Sequence, residues 1–117
     1  MPNAPALIEV ALNAHAIEAL AETHPDLPSA TRSEALALLD CQEALAHAVL
    51  VGRWIWVTFP SKPAPETRTF LKSRGYHWNT QRNAWQNACA YQCRRAPYDP
   101  RVKYGTEKMD EIMGVKK

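Results

Sequence analysis

The sequence predicts an α+β protein in which a helix-rich N-terminal segment precedes a small β-α-β-β unit and C-terminal helices. Three observations carry this expectation. Residues 1–52 are rich in Ala and Leu and contain no aromatic residue. Arg53 to Phe59 alternates at period two between aliphatic and Trp/Thr positions. Residues 65–75 then read as a short helix between Pro65 and Gly75, followed by two short aromatic runs. With 117 residues and 46% hydrophobic content, the chain can bury one modest core, or form two small units that rely on each other or on a partner chain.

Along the N-terminal half, Ile8, Val10 and Leu12 alternate with Leu7, Glu9 and Ala11, as in a short strand buried on one face. Asn13 then caps a helix from Ala14 to about Thr23, with Ile17 and Leu20 inward. The alternative is an all-helical first fifty residues, made of two or three amphipathic helices. His24-Pro25-Asp26-Leu27-Pro28 breaks the helix, because proline lacks an amide hydrogen and restricts its predecessor. A second helix is expected from Thr31 or Ser33 through Leu36, Leu39, Ala46 and Leu50, ending at Gly52.

Strand, helix, break and helix over residues 6–40 resembles the ribbon-helix-helix family, with IEVALNAHAIEALAE as strand and first helix and ATRSEALALL as entry to the second. The resemblance implies an intertwined homodimer that pairs one strand from each chain. The outward ribbon positions would be Leu7, Glu9 and Ala11. One acid and two apolar residues do not suit a phosphate-lined groove, so dimerisation carries over and DNA reading does not.

In the central unit, Ile55, Val57 and Phe59 form one face of the first strand, and Trp54, Trp56 and Thr58 the other. Pro65 suits a first helical turn, with Glu66 near the positive end of the dipole. Thr67, Phe70 and Leu71 form the inner stripe, while Arg68 and Lys72, four apart, share another side. Tyr76-His77-Trp78 and Ala84-Trp85-Gln86 are strands joined by a polar turn over Asn79 to Asn83. The inner core therefore takes Trp85 and either Tyr76 or Trp78.

Phe59-Pro60, Arg68 to Lys72, Gly75-Tyr76-His77-Trp78 and Arg82-Asn83-Ala84-Trp85 together resemble a Trp-rich β-α-β-β element of small bacterial, phage and plasmid proteins. The resemblance covers about thirty residues. It implies the fold of the unit and, by association with mobile elements and DNA processing, a nucleic-acid partner.

Further on, Asn87 to Ala96 is expected as a short helix capped by Asn87, and Pro97-Tyr98-Asp99-Pro100 as irregular chain. Thr106 would cap a last helix with Met109, Ile112 and Met113 at helical spacing. The resulting organisation is an acidic segment 1–52, a basic aromatic unit 53–96 and a C-terminal stretch 97–117.

Charge separates these segments. Residues 53–104 hold ten Lys/Arg against Glu66 and Asp99, a balance of +8, whereas residues 1–52 hold Arg32 against seven acids, a balance of −6. All ten aromatics lie between Trp54 and Tyr104. Basic charge beside exposed aromatics suits phosphates and unstacked bases, of DNA or RNA. The expected phosphate contacts are Arg68, Lys72, Arg74 and Arg82; Trp54 and Trp56, off the strand's aliphatic face, must cover the N-terminal helices, meet another chain or stack on a ligand, and are the candidate stacking residues. Two alternatives stand beside this reading. The basic charge can be neutralised by the acidic half, and the aromatic surface can face a protein partner.

No phosphate-binding glycine loop, nucleophile elbow or paired His/acid metal motif is present, so a non-catalytic role without metal or cofactor is expected. Cys89 and Cys93, with His77, offer three donors at a spacing that fits no common zinc motif. Three cysteines without framework spacing point to a reducing compartment, and no apolar run reaches the ~20 residues of a membrane span. Cytoplasm is the expected location.

Overall fold

The computed structural model describes residues 4–90 and 98–115, with the side chains of residues 13–90 and 98–115. Six helices and five strands follow in the order α1 (Ala4–Thr23), α2 (Ser29–Ala37), a 3-10 turn (Leu38–Asp40), α3 (Gln42–Ala46), β1 (Ala48–Val51), β2 (Trp54–Val57), α4 (Pro65–Ser73), β3 (His77–Asn79), β4 (Ala84–Asn87), α5 (Pro100–Tyr104), β5 (Glu107–Lys108) and α6 (Met109–Ile112). The α+β class and the β2-α4-β3-β4 order are those expected from the sequence.

The expected strand over Ile8–Leu12 is instead part of α1, as in the all-helical alternative. Ile8, Leu12, Ala16 and Leu20 also stand four apart, and the Ala-rich composition favours helix. Ala16 and Leu20 are buried, whereas Ile17, one helical step round, is 52% exposed and not inward as expected. The second expected helix is shorter than its pattern. It stops before Cys41, and Ala48 to Val51 is a strand. Two β-branched valines then meet Gly52, whose φ of +62° opens a two-residue hairpin instead of capping a helix.

All strand pairs are antiparallel, in the order β3-β4-β2-β1-β5. Because β4 pairs with both β2 and β3, those two run the same way and α4 crosses over between them. The register sets Ile55 beside Asn87, Trp56 beside Gln86 and Val57 beside Trp85. One sheet face thus presents Leu50, Ile55, Val57 and Trp85 to a core shared with Leu20, Leu38, Leu45, Leu71, Tyr76, Met109 and Met113. That core draws on all three segments of the chain, and the stripe of α6 docks within it. The opposite face carries Val51, Trp56 and Ala84, with Val49 and Trp54 at their margin.

Local chemistry fixes the ends. Asn79 Oδ1 accepts from Arg82 N at 3.0 Å, and Asn83 adopts φ +55° in the β3–β4 turn, a conformation asparagine tolerates. Asn87 does not start a helix. It ends β4, and its Oδ1 accepts from Cys89 N at 2.9 Å while its amide donates to Arg74 O at 3.1 Å. The remainder of the expected helix, with Cys93, Arg94 and Arg95, lies outside the described residues. Pro100 opens α5, where Asp99 accepts from Arg101 N at 2.9 Å as N-cap.

Candidate nucleic-acid interface

The four expected phosphate contacts fall into two pairs. Arg74 and Arg82 are engaged within the chain. Arg74 donates from Nε at 3.2 Å and Nη2 at 3.1 Å to the two carboxylate oxygens of Glu34, a fork-to-fork pair reaching from α4 to α2. Arg82 donates to Tyr98 O at 2.9 Å and stands 3.9 Å from Asp99. Arg68 and Lys72 differ from both. Among the described residues neither forms an ion pair; Arg68 is half-buried and Lys72 is exposed. Their four-residue spacing sets them on one side of α4, away from the buried Thr67 and Leu71.

The acidic half engages both ends of α4. Glu43 accepts from Ala64 N at 3.2 Å and from Thr67 Oγ1 at 2.6 Å, so a carboxylate from α3 sits at the helix N-terminus. These hydrogen bonds hold the Glu43 carboxyl below its usual range. Glu34 meets Arg74 just past the C-terminus. Internal neutralisation, an alternative left open by the sequence, accounts for Arg74 but not for Arg68 or Lys72.

Packing, one of the three roles open to Trp54 and Trp56, is the one Trp56 takes, but its cover is not the N-terminal half. Trp56 is 1% exposed and cannot offer a stacking face as it stands. Its cover is the 98–104 segment, since the Arg101 guanidinium lies 4.9 Å above the Trp56 ring. Asp99 holds that guanidinium through Nε at 3.1 Å and Nη2 at 2.8 Å, and Arg101 Nη2 also reaches Arg82 O at 3.4 Å. This arginine lowers the Asp99 carboxyl below its ordinary value. Trp54 is half-buried at the margin of the same cluster. The inner core takes Tyr76 and Trp85, while Trp78, on edge strand β3, remains 48% exposed and packs edge-on to Trp85 at 5.7 Å. No family model, curated protein or solved structure matches this chain.

Sequence reasoning passed over a second exposed group. Tyr98 and Tyr104 are 44% and 57% exposed, and Lys103 Nζ lies 5.9 Å and 5.3 Å from their ring centres. Tyr104 rests on Gly52, where an added Cβ would stand 3.3 Å from the ring. A usable signal was the pairing of two aromatics with a lysine in a proline-flanked segment that has no strand period.

Other candidate chemistry does not assemble. Cys89 is buried, its Sγ donates to Asn87 O, and burial pushes its thiol up to about 11, the opposite of an activated nucleophile. His77 is exposed on β3, and no group of three or more His, Cys, Asp or Glu able to hold a metal occurs among the described residues. His24 lies 2.6 Å from Glu107 and 2.9 Å from Thr23 Oγ1, while Thr23 Oγ1 donates to Ala19 O at 2.8 Å. Thr23 thus gives its hydroxyl proton to a backbone carbonyl and not to the His24 ring beside it, unlike an activated nucleophile. Among the described residues no helix is long and apolar enough to cross a membrane.

Proposed function

We propose that this protein binds nucleic acid without catalysis, through the basic aromatic surface of its 53–104 segment. The observation that carries the reading is the residual charge. After Arg74 and Arg82 are engaged by Glu34 and Asp99, half-buried Arg68 and exposed Lys72 remain on one side of α4 without an ion pair among the described residues. Lys62, in the loop before that helix, is exposed as well. Such a side suits a phosphate backbone. Arg74 and Arg82 are positioning residues in this reading, and Trp56 belongs to the core.

The experiment is titration of labelled single-stranded and duplex DNA and RNA at two salt concentrations. Replacing both Arg68 and Lys72 by Gln is expected to weaken binding. The log–log salt slope should become shallower by about 1.4 on single strands or about 1.8 on duplex, two phosphate contacts' worth. Absence of binding at low salt would remove the proposal.

A second reading is favoured by a different observation. Tyr98, Val102 and Tyr104, all in one short segment, are 44%, 84% and 57% exposed, and such an apolar group suits a protein partner or a second copy of the chain. Partner capture lost on Val102→Asp but retained after reversal of Arg68 and Lys72 would favour that class. Light scattering distinguishes a homodimer from a monomer.

A further inference from the structure

We infer that the nucleic acid taken by this protein is single-stranded, and that its bases stack on Tyr98 and Tyr104 with Lys103 between them. The inference rests on the nucleic-acid reading above, names its substrate class, and places the bases on the Trp56 face of the sheet, opposite the face on which α4 packs. Residues 98–104 lie over the Trp56 face of the sheet. Arg82, in the β3–β4 turn, hydrogen-bonds Tyr98 O, Arg101 covers Trp56, and Tyr104 packs on Gly52 in the β1–β2 turn. These two turns stand at opposite ends of the strands, because Val57 pairs with Trp85 beside one and Val51 with Trp54 beside the other. The segment therefore spans the length of the sheet and holds a tyrosine near each end.

The inward side of the segment is marked by Arg101, whose guanidinium Asp99 holds through paired hydrogen bonds above Trp56. Its outward side is unusual for a short surface helix. Tyr98 and Tyr104 are 44% and 57% exposed, and the ammonium of Lys103 sits within cation–π range of both. Base stacking is tolerant of sequence, because every base has a π-face, and an ammonium between two rings answers the phosphate that joins two bases. A duplex keeps its bases stacked on one another and offers no face to a tyrosine. The same rings are therefore of use only to a single strand. The +8 balance of residues 53–104 favours an anionic ligand over a neutral or basic one, and the paired rings favour bases over carboxylates.

The test is fluorescence anisotropy of labelled oligothymidine and of a matched duplex with the full chain at low salt. Oligothymidine is expected to bind more tightly than the duplex. Tyr98→Ala should weaken it roughly 5- to 100-fold, the range set by the loss of one stacked base. Tyr98→Phe, which keeps the ring, should recover most of that loss. Tyr104 rests on Gly52, so Tyr98→Ala, which leaves that packing intact, keeps the test decisive if Tyr104→Ala destabilises the hairpin. Tighter binding to duplex, or Tyr98→Ala equal to the parent chain, would overturn the inference while leaving nucleic-acid binding through Arg68 and Lys72 standing. Phe behaving as Ala would overturn stacking as the cause. No binding of either probe would remove both readings.

Discussion

Replacement of Trp56 separates a core tryptophan from a ligand-facing one. An indole buries about 150–250 Å², which at about 25 cal/mol per Å² corresponds to roughly 4–6 kcal/mol. Unfolded chains already hide part of that surface, so Trp56→Ala is expected to destabilise by about 3–5 kcal/mol. Trp78, with 48% of its surface exposed, has about half as much to lose. Trp78→Ala should cost about 1–2 kcal/mol, including its edge-on contact with Trp85. Trp56→Phe retains a ring beneath Arg101 and deletes an indole N–H that has no hydrogen-bond partner among the described residues. It should cost about 1–2 kcal/mol and leave a folded chain for binding assays. Urea denaturation followed by far-ultraviolet circular dichroism measures all three. A smaller loss for Trp56→Ala than for Trp78→Ala would refute the burial of Trp56 under the 98–104 segment.

Three other outcomes are expected. Gly114 has φ +67°, and a Cβ there would lie 2.7 Å from His15 Nε2, which hydrogen-bonds Gly114 O at 2.9 Å; Gly114→Ala should cost about 2–3 kcal/mol by urea denaturation, and His15→Ala should relieve part of that cost in the double variant. Asp99 is held below its ordinary value by Arg101, so its contribution is present above the unfolded carboxyl range and lost as pH falls below about 4; in acid titrations of thermal stability, Asp99→Asn should show a shallower decline than the parent chain. Burial raises the Cys89 thiol to about 11 and the Tyr76 phenol further, so the folded state holds protons that the unfolded state releases. Stability should therefore be complete below about pH 8.5 and fall as pH climbs toward 11, with a smaller fall in Cys89→Ala; at pH 8, peptide mapping after alkylation should find Cys89 unmodified until the protein is unfolded.

Much of the sheet unit was legible because its signals are local. Alternation over Arg53 to Phe59 marked β2 and both of its faces, Pro65 and Gly75 bounded α4, and the polar run from Asn79 to Asn83 marked the β3–β4 turn. Short apolar segments were less legible. Ile8 to Leu12 satisfies both a period of two and a spacing of four, and α1 continues through it because nothing in the segment breaks a helix. Ala48 to Val51 lay hidden at the end of a helical pattern. Its strand depends on pairing with β2 on one side and β5 on the other, a long-range contribution that no window of sequence contains.

The candidate site shows the same division. By itself the sequence determined that charge and aromatics gather between residues 53 and 104, that the first half is acidic, and that Trp54 and Trp56 share one side of a strand. Only the tertiary structure decided which of these groups meets solvent. Periodicity shows that a strand has two faces and is silent about what covers each. The cover of Trp56 comes from Arg101, and the partner of Arg74 is Glu34, forty positions away. Burial and ion pairing follow distance in space, which is why, among the described residues, Lys62, Arg68 and Lys72 stay without an ion pair on and before α4 and Lys103 does so across the sheet, while Trp78, Tyr98 and Tyr104 are exposed rings.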